Sequence, residues 1–224
     1  MRNTRRRTAI LISGRGSNMA SLIAAAKHPE YPAEIALVLS NRPEAAGLDY
    51  AREHHIATAA VDHKIYAGRE NFEAVLQRML EMHRIDLICL AGFMRLLTGS
   101  FTQRWQGRML NIHPALLPSY KGLHTHERAL ADGVKIHGCT VHYVVPEMDS
   151  GPIIAQAAVP VLDTDDAGSL GVRVLEQEHI IYPRALGLVA DERVKIENNR
   201  VVGACTHVEH TPLVVPGFDE EEDG

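Results

Sequence analysis

The sequence has 224 residues and a formal net charge of −5, and 46% of its residues are hydrophobic while 23% are charged. This balance excludes a chain too polar to bury a core, and the negative charge argues against a general nucleic-acid binder. No apolar run approaches the ~20 residues of a membrane span. The three scattered cysteines form no pair motif and fit a reducing compartment: Cys89, Cys139 and Cys205. We therefore expect a cytoplasmic protein with neither a membrane nor a nucleic acid as partner.

Seven apolar runs are typical of strands, and they alternate with stretches of helical periodicity. The first run follows a basic start, M-R-N-T-R-R-R, and is too short for the core of a signal peptide. The predicted strands are Thr8–Ser13, Ala33–Ser40, Ile56–Val61, Asp86–Gly92, Met109–Ile112, Thr140–Val145 and Ile153–Val159. The predicted helices are one that follows Gly16, then Pro43–His54, Arg69–His83, a short one after Thr98, Glu127–Ala131 and Ser169–Leu186.

This order of elements predicts the fold class. Alternating strands and helices favour an α/β fold with a three-layer, doubly wound, mostly parallel sheet. The last two strands are joined by a loop and predict an antiparallel C-terminal portion. The chain is polar from Asp191 onward, and we predict that its acidic end, Phe218–Gly224, is disordered.

The stretch N-I-H-P after the fifth predicted strand is suited to acyl chemistry. Asn111 and His113 face the same side of the strand because alternate residues do so, and Pro114 ends the strand. An amide donates to a forming oxyanion without titrating, and an imidazole exchanges protons near neutral pH. A strand-end asparagine that caps a turn beside a satisfied histidine explains the same residues. Both interpretations stay open on this segment alone.

The glycine loop after the first strand has the pattern of a small phosphate site. G-R-G-S-N precedes a helix, where backbone N–H groups bind anions. The dinucleotide fingerprint fails, because Met19 stands where the third glycine belongs and no acidic residue follows the second strand; the P-loop pattern fails as well. The loop predicts either a cradle for one phosphate or ribose, with donors from Ser17 and Asn18, or a tight turn in which one of these residues is the N-cap.

Three further features allow a functional and a structural interpretation each. The apolar loop Ala91–Leu97 follows a buried strand and either lines a slot for a flat heterocycle or packs around a turn. Asp149 either orients and charges His113 or starts a turn. The 13 histidines include His124 and His126, but no spacing typical of a metal site occurs, so we predict no metal.

Six collinear motifs closely resemble the glycinamide ribonucleotide formyltransferases, folate-dependent enzymes of de novo purine synthesis. The motifs cover roughly residues 8 to 200 and are I-S-G-x-G-S-N, L-A-G-F-M-R-L-L, N-I-H-P-A-L-L-P-S-Y-x-G-L-H-T-H, H-G-C-T-V-H-Y-V, M-D-S-G-P-I-I and E-Q-E-H-I-I-Y-P. One departure is Lys121, where the family usually has proline. The resemblance implies the formyltransferase fold and transfer of a formyl group from 10-formyltetrahydrofolate, as cosubstrate, to the glycinamide amine.

The resemblance also implies a role for individual residues of this chain. The catalytic residues would be Asn111, His113 and Asp149. The ribonucleotide-binding residues would be Gly16, Ser17 and Asn18, with Glu178 near the glycinamide end. The folate-binding residues would be Arg69, Met94, Arg95, Leu96 and Leu97.

The resemblance divides the chain into three parts. We expect a basic extension at residues 1–7, a formyltransferase domain at residues 8–200 and a polar, acidic tail at residues 201–224, in a monomer or homodimer.

Three rival functions remain. A formyltetrahydrofolate deformylase normally has an extra N-terminal domain, and a transfer-RNA formyltransferase needs a basic domain for its anionic partner. A non-enzymatic nucleotide-binding module explains the glycine loop but not the three catalytic candidates.

Overall fold

Nine strands and six helices make up the computed structural model, which describes residues 5–203 and 213–216. The strands are β1 (Arg6–Ile12), β2 (Ala33–Ser40), β3 (Thr58–Ala60), β4 (Leu87–Leu90), β5 (Met109–His113), β6 (Ile136–Tyr143), β7 (Ile153–Pro160), β8 (Val194–Glu197) and β9 (Arg200–Gly203). The helices are α1 (Ser17–Ala26), α2 (Gly47–Glu53), α3 (Arg69–Met82), α4 (Gly99–Arg104), α5 (Thr125–Ala131) and α6 (Ala167–Ala190), and a 3₁₀ turn spans His63–Ile65.

The first seven strands form one mixed sheet in the order β3-β2-β1-β4-β5-β6-β7. Strands β1 to β5 are parallel to one another, whereas β6 pairs antiparallel with both β5 and β7. The order runs outward in both directions from β1, so the sheet is doubly wound. This confirms the predicted α/β fold, with its mostly parallel sheet and antiparallel C-terminal portion.

The layers follow from the alternation of side chains along buried strands. In β1, Ile10 and Ile12 point to one face and join the core beneath α1 and α6, while Ala9 and Leu11 point to the other face and join the core beneath α3. Both faces of β1 are therefore covered, which explains its continuous apolar run from Ala9 to Ile12.

Helix α6 is longer than the sequence predicted and extends along the sheet. It begins at Ala167 behind a capping box, in which the Asp166 carboxylate accepts from the Ser169 amide, and it continues to Ala190 although Pro183 lies inside it. The Tyr182 hydroxyl donates to the carbonyl oxygens of Leu90 (3.0 Å) and Leu110 (3.2 Å). The helix is therefore tied to β4 and β5, and it holds Glu178 over the sheet.

Several predicted boundaries need correction. The predicted second helix began at Pro43, but α2 begins at Gly47 after a turn. Strand β6 begins at Ile136 rather than Thr140, and β1 begins at Arg6 rather than Thr8.

The β8–β9 hairpin was not predicted. Its turn residues Asn198 and Asn199 both adopt positive φ (49° and 61°), as a two-residue hairpin turn requires. The hairpin crosses the predicted boundary at residue 200, and the division into three parts stays a prediction.

Two further expectations lie outside the described residues: the disorder of Phe218–Gly224 and the prediction that Cys205 forms no disulfide. Within the described ranges, no helix is both long and apolar enough to cross a membrane.

Candidate active site

Strands β5 and β6 bring the first candidate residues together. Asn111 pairs with His142, and His113 pairs with Thr140, across the antiparallel ladder. Residues directly opposite each other in such a ladder point to the same face. The Thr140 hydroxyl donates to the Ala115 carbonyl oxygen (2.6 Å). The chain that leaves β5 is therefore held against β6, and the site has a rigid floor.

The imidazole of His113 is buried and faces oxygen atoms on both sides. Its Nε2 lies 2.9 Å from the backbone oxygen of Tyr120, and its Nδ1 lies 3.5 Å from Oδ2 of Asp149. A nitrogen that faces a carbonyl oxygen carries a proton, and a proton on the other nitrogen would complete the contact with the carboxylate. Both ring nitrogens of His113 therefore face oxygen atoms of the protein.

Asp149 is held between the loops that border the site. Its side chain is only 12% exposed, its Oδ2 accepts from the Gly122 amide (2.9 Å), and its Oδ1 lies 3.8 Å from Nε2 of His142. Its backbone has a φ of 49°, a left-handed conformation that aspartate tolerates better than most residues. The carboxylate thus lies between two histidines and fixes the loop that contains Gly122.

His142 is a site residue for which the sequence analysis assigned no role. Its Nδ1 lies 2.9 Å from the Tyr143 carbonyl oxygen, so Nδ1 is the protonated nitrogen of the neutral ring. Burial is the largest influence on this ring and lowers the pKa of His142, which favours the neutral form. Nε2 is then an acceptor, and Asn111 Nδ2 donates to it across 3.2 Å. The second N–H of the Asn111 amide has no hydrogen-bond partner among the described residues, and the amide contacts His142 rather than capping a turn.

The glycine loop leads into α1 at the carboxyl edge of β1. Gly16 is the N-cap of α1, with a φ of 73°, and the first turn of the helix contains no acidic residue. Neither Ser17 nor Asn18 caps the helix, so that structural interpretation is wrong. The Asn18 amide instead donates to Glu178 Oε2 on α6 (2.6 Å). The four predicted ribonucleotide residues therefore form one continuous surface.

Two buried polar atoms characterise this surface. Asn18 Oδ1 is buried without a hydrogen-bond partner in the described part of the chain, so it is free to accept from a ligand hydroxyl or amine. Burial raises the pKa of Glu178, although the hydrogen bond from Asn18 lowers it in part. The pair is suited to a neutral or cationic polar ligand group.

The predicted folate residues lie on two neighbouring elements, the first turn of α3 and the segment between β4 and α4. Arg69 is the exposed first residue of α3. In the segment Met94–Leu97, the side chains of Met94 and Leu96 are each 63% exposed. The Met94 amide donates to Ser13 Oγ (2.7 Å), which joins this segment to the end of β1. An exposed apolar surface of this kind, next to an arginine, suits a flat ligand with an acidic tail.

The predicted residues thus fall into three adjoining groups at the carboxyl edge of the parallel strands, where open α/β sheets bind ligands.

Among the described residues, no group of three or more His, Cys, Asp and Glu side chains is arranged to hold a metal ion. His124 is exposed and lies 3.5 Å from Glu127. His126 instead contacts the buried His137, with 3.2 Å between Nδ1 and Nε2.

A doubly wound α/β sheet with an Asn-His-Asp group at its carboxyl edge suits enzymes that transfer acyl groups. The family model described as formyl transferase matches residues 6–186, and the chain therefore belongs to this family.

Named relatives indicate a particular member of the family. The phosphoribosylglycinamide formyltransferase of Escherichia coli (strain K12) is 43% identical over 190 residues, which are 85% of this chain and 90% of that protein. A crystal structure of glycinamide ribonucleotide transformylase 1 from Symbiobacterium toebii is 42% identical and superposes with a TM-score of 0.87 over 91% of this chain and 95% of that one.

A further relative is much longer than this chain. The human trifunctional purine biosynthetic protein adenosine-3 is 49% identical over 193 residues, which are 86% of this chain but only 19% of that protein. The chain thus spans about a fifth of the length of this relative.

Proposed function

We propose that the chain transfers a formyl group from 10-formyltetrahydrofolate to the amine of glycinamide ribonucleotide, giving formylglycinamide ribonucleotide and tetrahydrofolate in de novo purine biosynthesis. The observation that supports it most is the contact set of Asn111, His113 and Asp149, which lies at the same carboxyl edge of the sheet as two surfaces of different chemistry. One is a helix N-terminus suited to a phosphate. The other is an apolar segment beside an arginine, suited to a flat acid.

The reaction begins when the free amine of the ribonucleotide attacks the formyl carbon. The carbonyl oxygen becomes an oxyanion, to which Asn111 donates the N–H that His142 leaves free. Protonated His113 adds positive charge on the same side. When the tetrahedral centre collapses, the bond from the formyl carbon to N10 breaks and its electron pair returns to N10.

One proton must travel from the attacking nitrogen to N10. His113, or a water molecule that His113 and Asp149 hold, transfers it. Since both nitrogens of His113 already face oxygens of the protein, the transfer uses the Nδ1 side, where the contact with Asp149 is the longer one. Holding the two substrates together contributes on the order of 7–11 kcal/mol to the rate acceleration.

The substrates are divided between the two surfaces. Gly16, Ser17 and Asn18 bind the phosphate and ribose, and Glu178 accepts from the glycinamide end. The pterin of the folate lies along residues 94–97, and Arg69 and Arg95 bind its acidic tail. The active species is a monomer or homodimer.

A folate-turnover assay tests this function. Purified protein is incubated with 10-formyltetrahydrofolate, with and without glycinamide ribonucleotide, and tetrahydrofolate, formate and the formylated ribonucleotide are quantified. We expect tetrahydrofolate and formylated ribonucleotide in equal amounts, and only when the ribonucleotide is present. Release of formate without the ribonucleotide would instead identify a deformylase, and no turnover with either mixture would reject both activities.

A further inference from the structure

A buried carboxylate outside the catalytic group occupies the inner face of α3. Glu73 is only 5% exposed, and both of its carboxylate oxygens accept hydrogen bonds from Thr98. The Thr98 amide donates to Oε1 across 2.7 Å, and the Thr98 hydroxyl donates to Oε2. Burial of a carboxylate is costly unless such bonds are made. The contact therefore strongly constrains the distance between α3 and Thr98.

The contact joins the two elements that form the proposed folate surface. Glu73 lies four residues, or about one helical turn, after Arg69 on α3. Thr98 directly follows the segment Met94–Leu97 and is the N-cap of α4, since its hydroxyl also accepts from the Phe101 amide (3.3 Å). A shift of Glu73 would change the separation of Arg69 from this segment.

The other end of the segment is anchored independently. The Met94 amide donates to Ser13 Oγ, and the Ser13 hydroxyl donates to Oδ1 of the fully buried Asn41 (2.5 Å). The segment therefore has a fixed backbone at both ends while Met94 and Leu96 between them remain exposed. Such pre-organisation reduces the ordering cost of binding a ligand.

We infer that Glu73 is a positioning residue for folate: through Thr98 it holds residues 94–97 at a fixed distance from Arg69. The inference rests on the proposed function, because it takes these residues as the folate surface. It predicts a selective effect, since the ribonucleotide surface at Asn18 and Glu178 is built from α1 and α6.

The decisive variants are Glu73→Ala, Glu73→Gln and Thr98→Val. Alanine leaves both Thr98 donors without their acceptor. Glutamine preserves one acceptor, and its amide group donates to the Thr98 hydroxyl, so it should rescue binding. Thr98→Val keeps the amide bond to Glu73 but removes the hydroxyl, and with it both the second bond to Glu73 and the cap on the Phe101 amide, so it provides a second disruption of the same contact. Glu81→Ala is the matched control, because Glu81 is an exposed glutamate on the same helix.

Each protein is titrated with tetrahydrofolate and, separately, with glycinamide ribonucleotide by calorimetry, and KM and kcat are measured for both substrates. We expect Glu73→Ala to weaken tetrahydrofolate binding by about tenfold, in line with loss of hydrogen bonds to a charged group. Ribonucleotide binding and kcat at saturation should stay near the wild-type values. Thr98→Val should give a smaller folate effect, and Glu73→Gln and Glu81→Ala should resemble the wild type.

Amide hydrogen exchange of residues 94–98 in the ligand-free protein provides a readout that does not depend on activity. We expect faster exchange there in Glu73→Ala and unchanged exchange in α1. If the wild type binds tetrahydrofolate while Glu73→Ala and Thr98→Val bind it equally well, or if all variants lose both ligands in parallel, the inference is overturned and the proposed function stands. Absence of tetrahydrofolate binding by the wild type would overturn both.

Discussion

Asn111 and His142 form a cross-strand pair in which the neutral histidine orients the Asn111 amide. The Asn111 Nδ2 lies 3.2 Å from His142 Nε2, and the other ring nitrogen of His142 is committed to the Tyr143 carbonyl oxygen. This tautomer fixes which end of the amide points at His142. The pair therefore fixes the direction of the other N–H of Asn111, which the proposed mechanism assigns to the oxyanion.

The first prediction concerns this pair. Asn111→Ala should lower kcat by about 10²–10³, the usual loss for an oxyanion donor. His142→Ala should lower kcat by about tenfold, since Asn111 keeps its amide but loses its orientation. The double variant should be no slower than Asn111→Ala, because the histidine acts through the asparagine. Steady-state kinetics at saturating substrates measure all three, with the exposed His28→Ala as control. Additive losses in the double variant would show that His142 acts independently.

The second prediction separates chemistry from binding. His113→Ala should lose most of its turnover, because the site then lacks a group that exchanges protons near neutral pH. It should still bind the ribonucleotide, since the Asn18–Glu178 contact is formed by other elements. Single-turnover rates and calorimetric titrations measure the two effects. Wild-type turnover in His113→Ala would remove His113 from the mechanism.

The third prediction concerns stability in acid. Burial, and then the neighbouring His126, lower the pKa of His137 from 6.5 to about 4. Between these pH values the unfolded chain binds a proton that the folded chain does not, so the free energy of unfolding falls as the pH drops from about 6.5 toward 4. The pKa values of His126 and His142 are also lowered, which adds to this loss. The raised pKa of Glu178 acts in the opposite sense.

Urea unfolding of His137→Gln at several pH values between 7.5 and 4 tests this account. The variant cannot titrate at position 137, so its stability should decline less steeply with acid than that of the wild type. His28→Gln, a change at an exposed histidine, should retain the wild-type slope. Equal slopes in wild type and His137→Gln would rule out His137 as a source of the acid sensitivity.

The sequence predicted the central strands well for a physical reason. Strands covered on both faces, such as β1 and β2, have continuous apolar runs, and β2 was predicted with its observed bounds, Ala33–Ser40. The hairpin of β8 and β9 was missed because its strands are short and largely exposed, although the pair Asn198-Asn199 was a turn signal.

Two features of the site could not be read from sequence spacing. The contact of Asn111 with His142 depends on the antiparallel register of β5 and β6, which joins residues 31 apart in the chain. Glu73 lies next to Phe72 on the buried face of α3. The helical periodicity of apolar residues predicts which face is buried, but it does not predict a polar contact on that face. Its role is visible only once Thr98 is placed opposite.

The fourth prediction concerns metals and redox cofactors. The sequence has neither a metal-ligand spacing nor the dinucleotide fingerprint, and no suitable donor cluster occurs in the described residues. Formyl transfer should therefore survive exhaustive chelation and should not respond to nicotinamide cofactors. Activity that chelation abolishes and a single metal restores would contradict this.

The fifth prediction concerns the division of two anionic ligands between two surfaces of a chain whose net charge is −5. Ser17 is the exposed first residue of α1, where backbone N–H groups favour a phosphate. Ser17→Asp places a like charge there and should weaken ribonucleotide binding by at least about tenfold. Arg95 lies in the segment beyond the Met94 anchor, so Arg95→Ala should weaken tetrahydrofolate binding instead.

Separate titrations of each variant with each ligand measure this division, and kcat at saturation reports on the chemistry. Ser17→Ala and Arg95→Lys are the matched controls, because the first removes the hydroxyl without adding charge and the second retains the charge without the planar guanidinium. Neither Ser17→Asp nor Arg95→Ala should abolish turnover at saturation, since His113 and Asp149 belong to β5 and to the loop after β6. Equal weakening of both ligands by both variants would mean that the two ligands do not occupy separate surfaces.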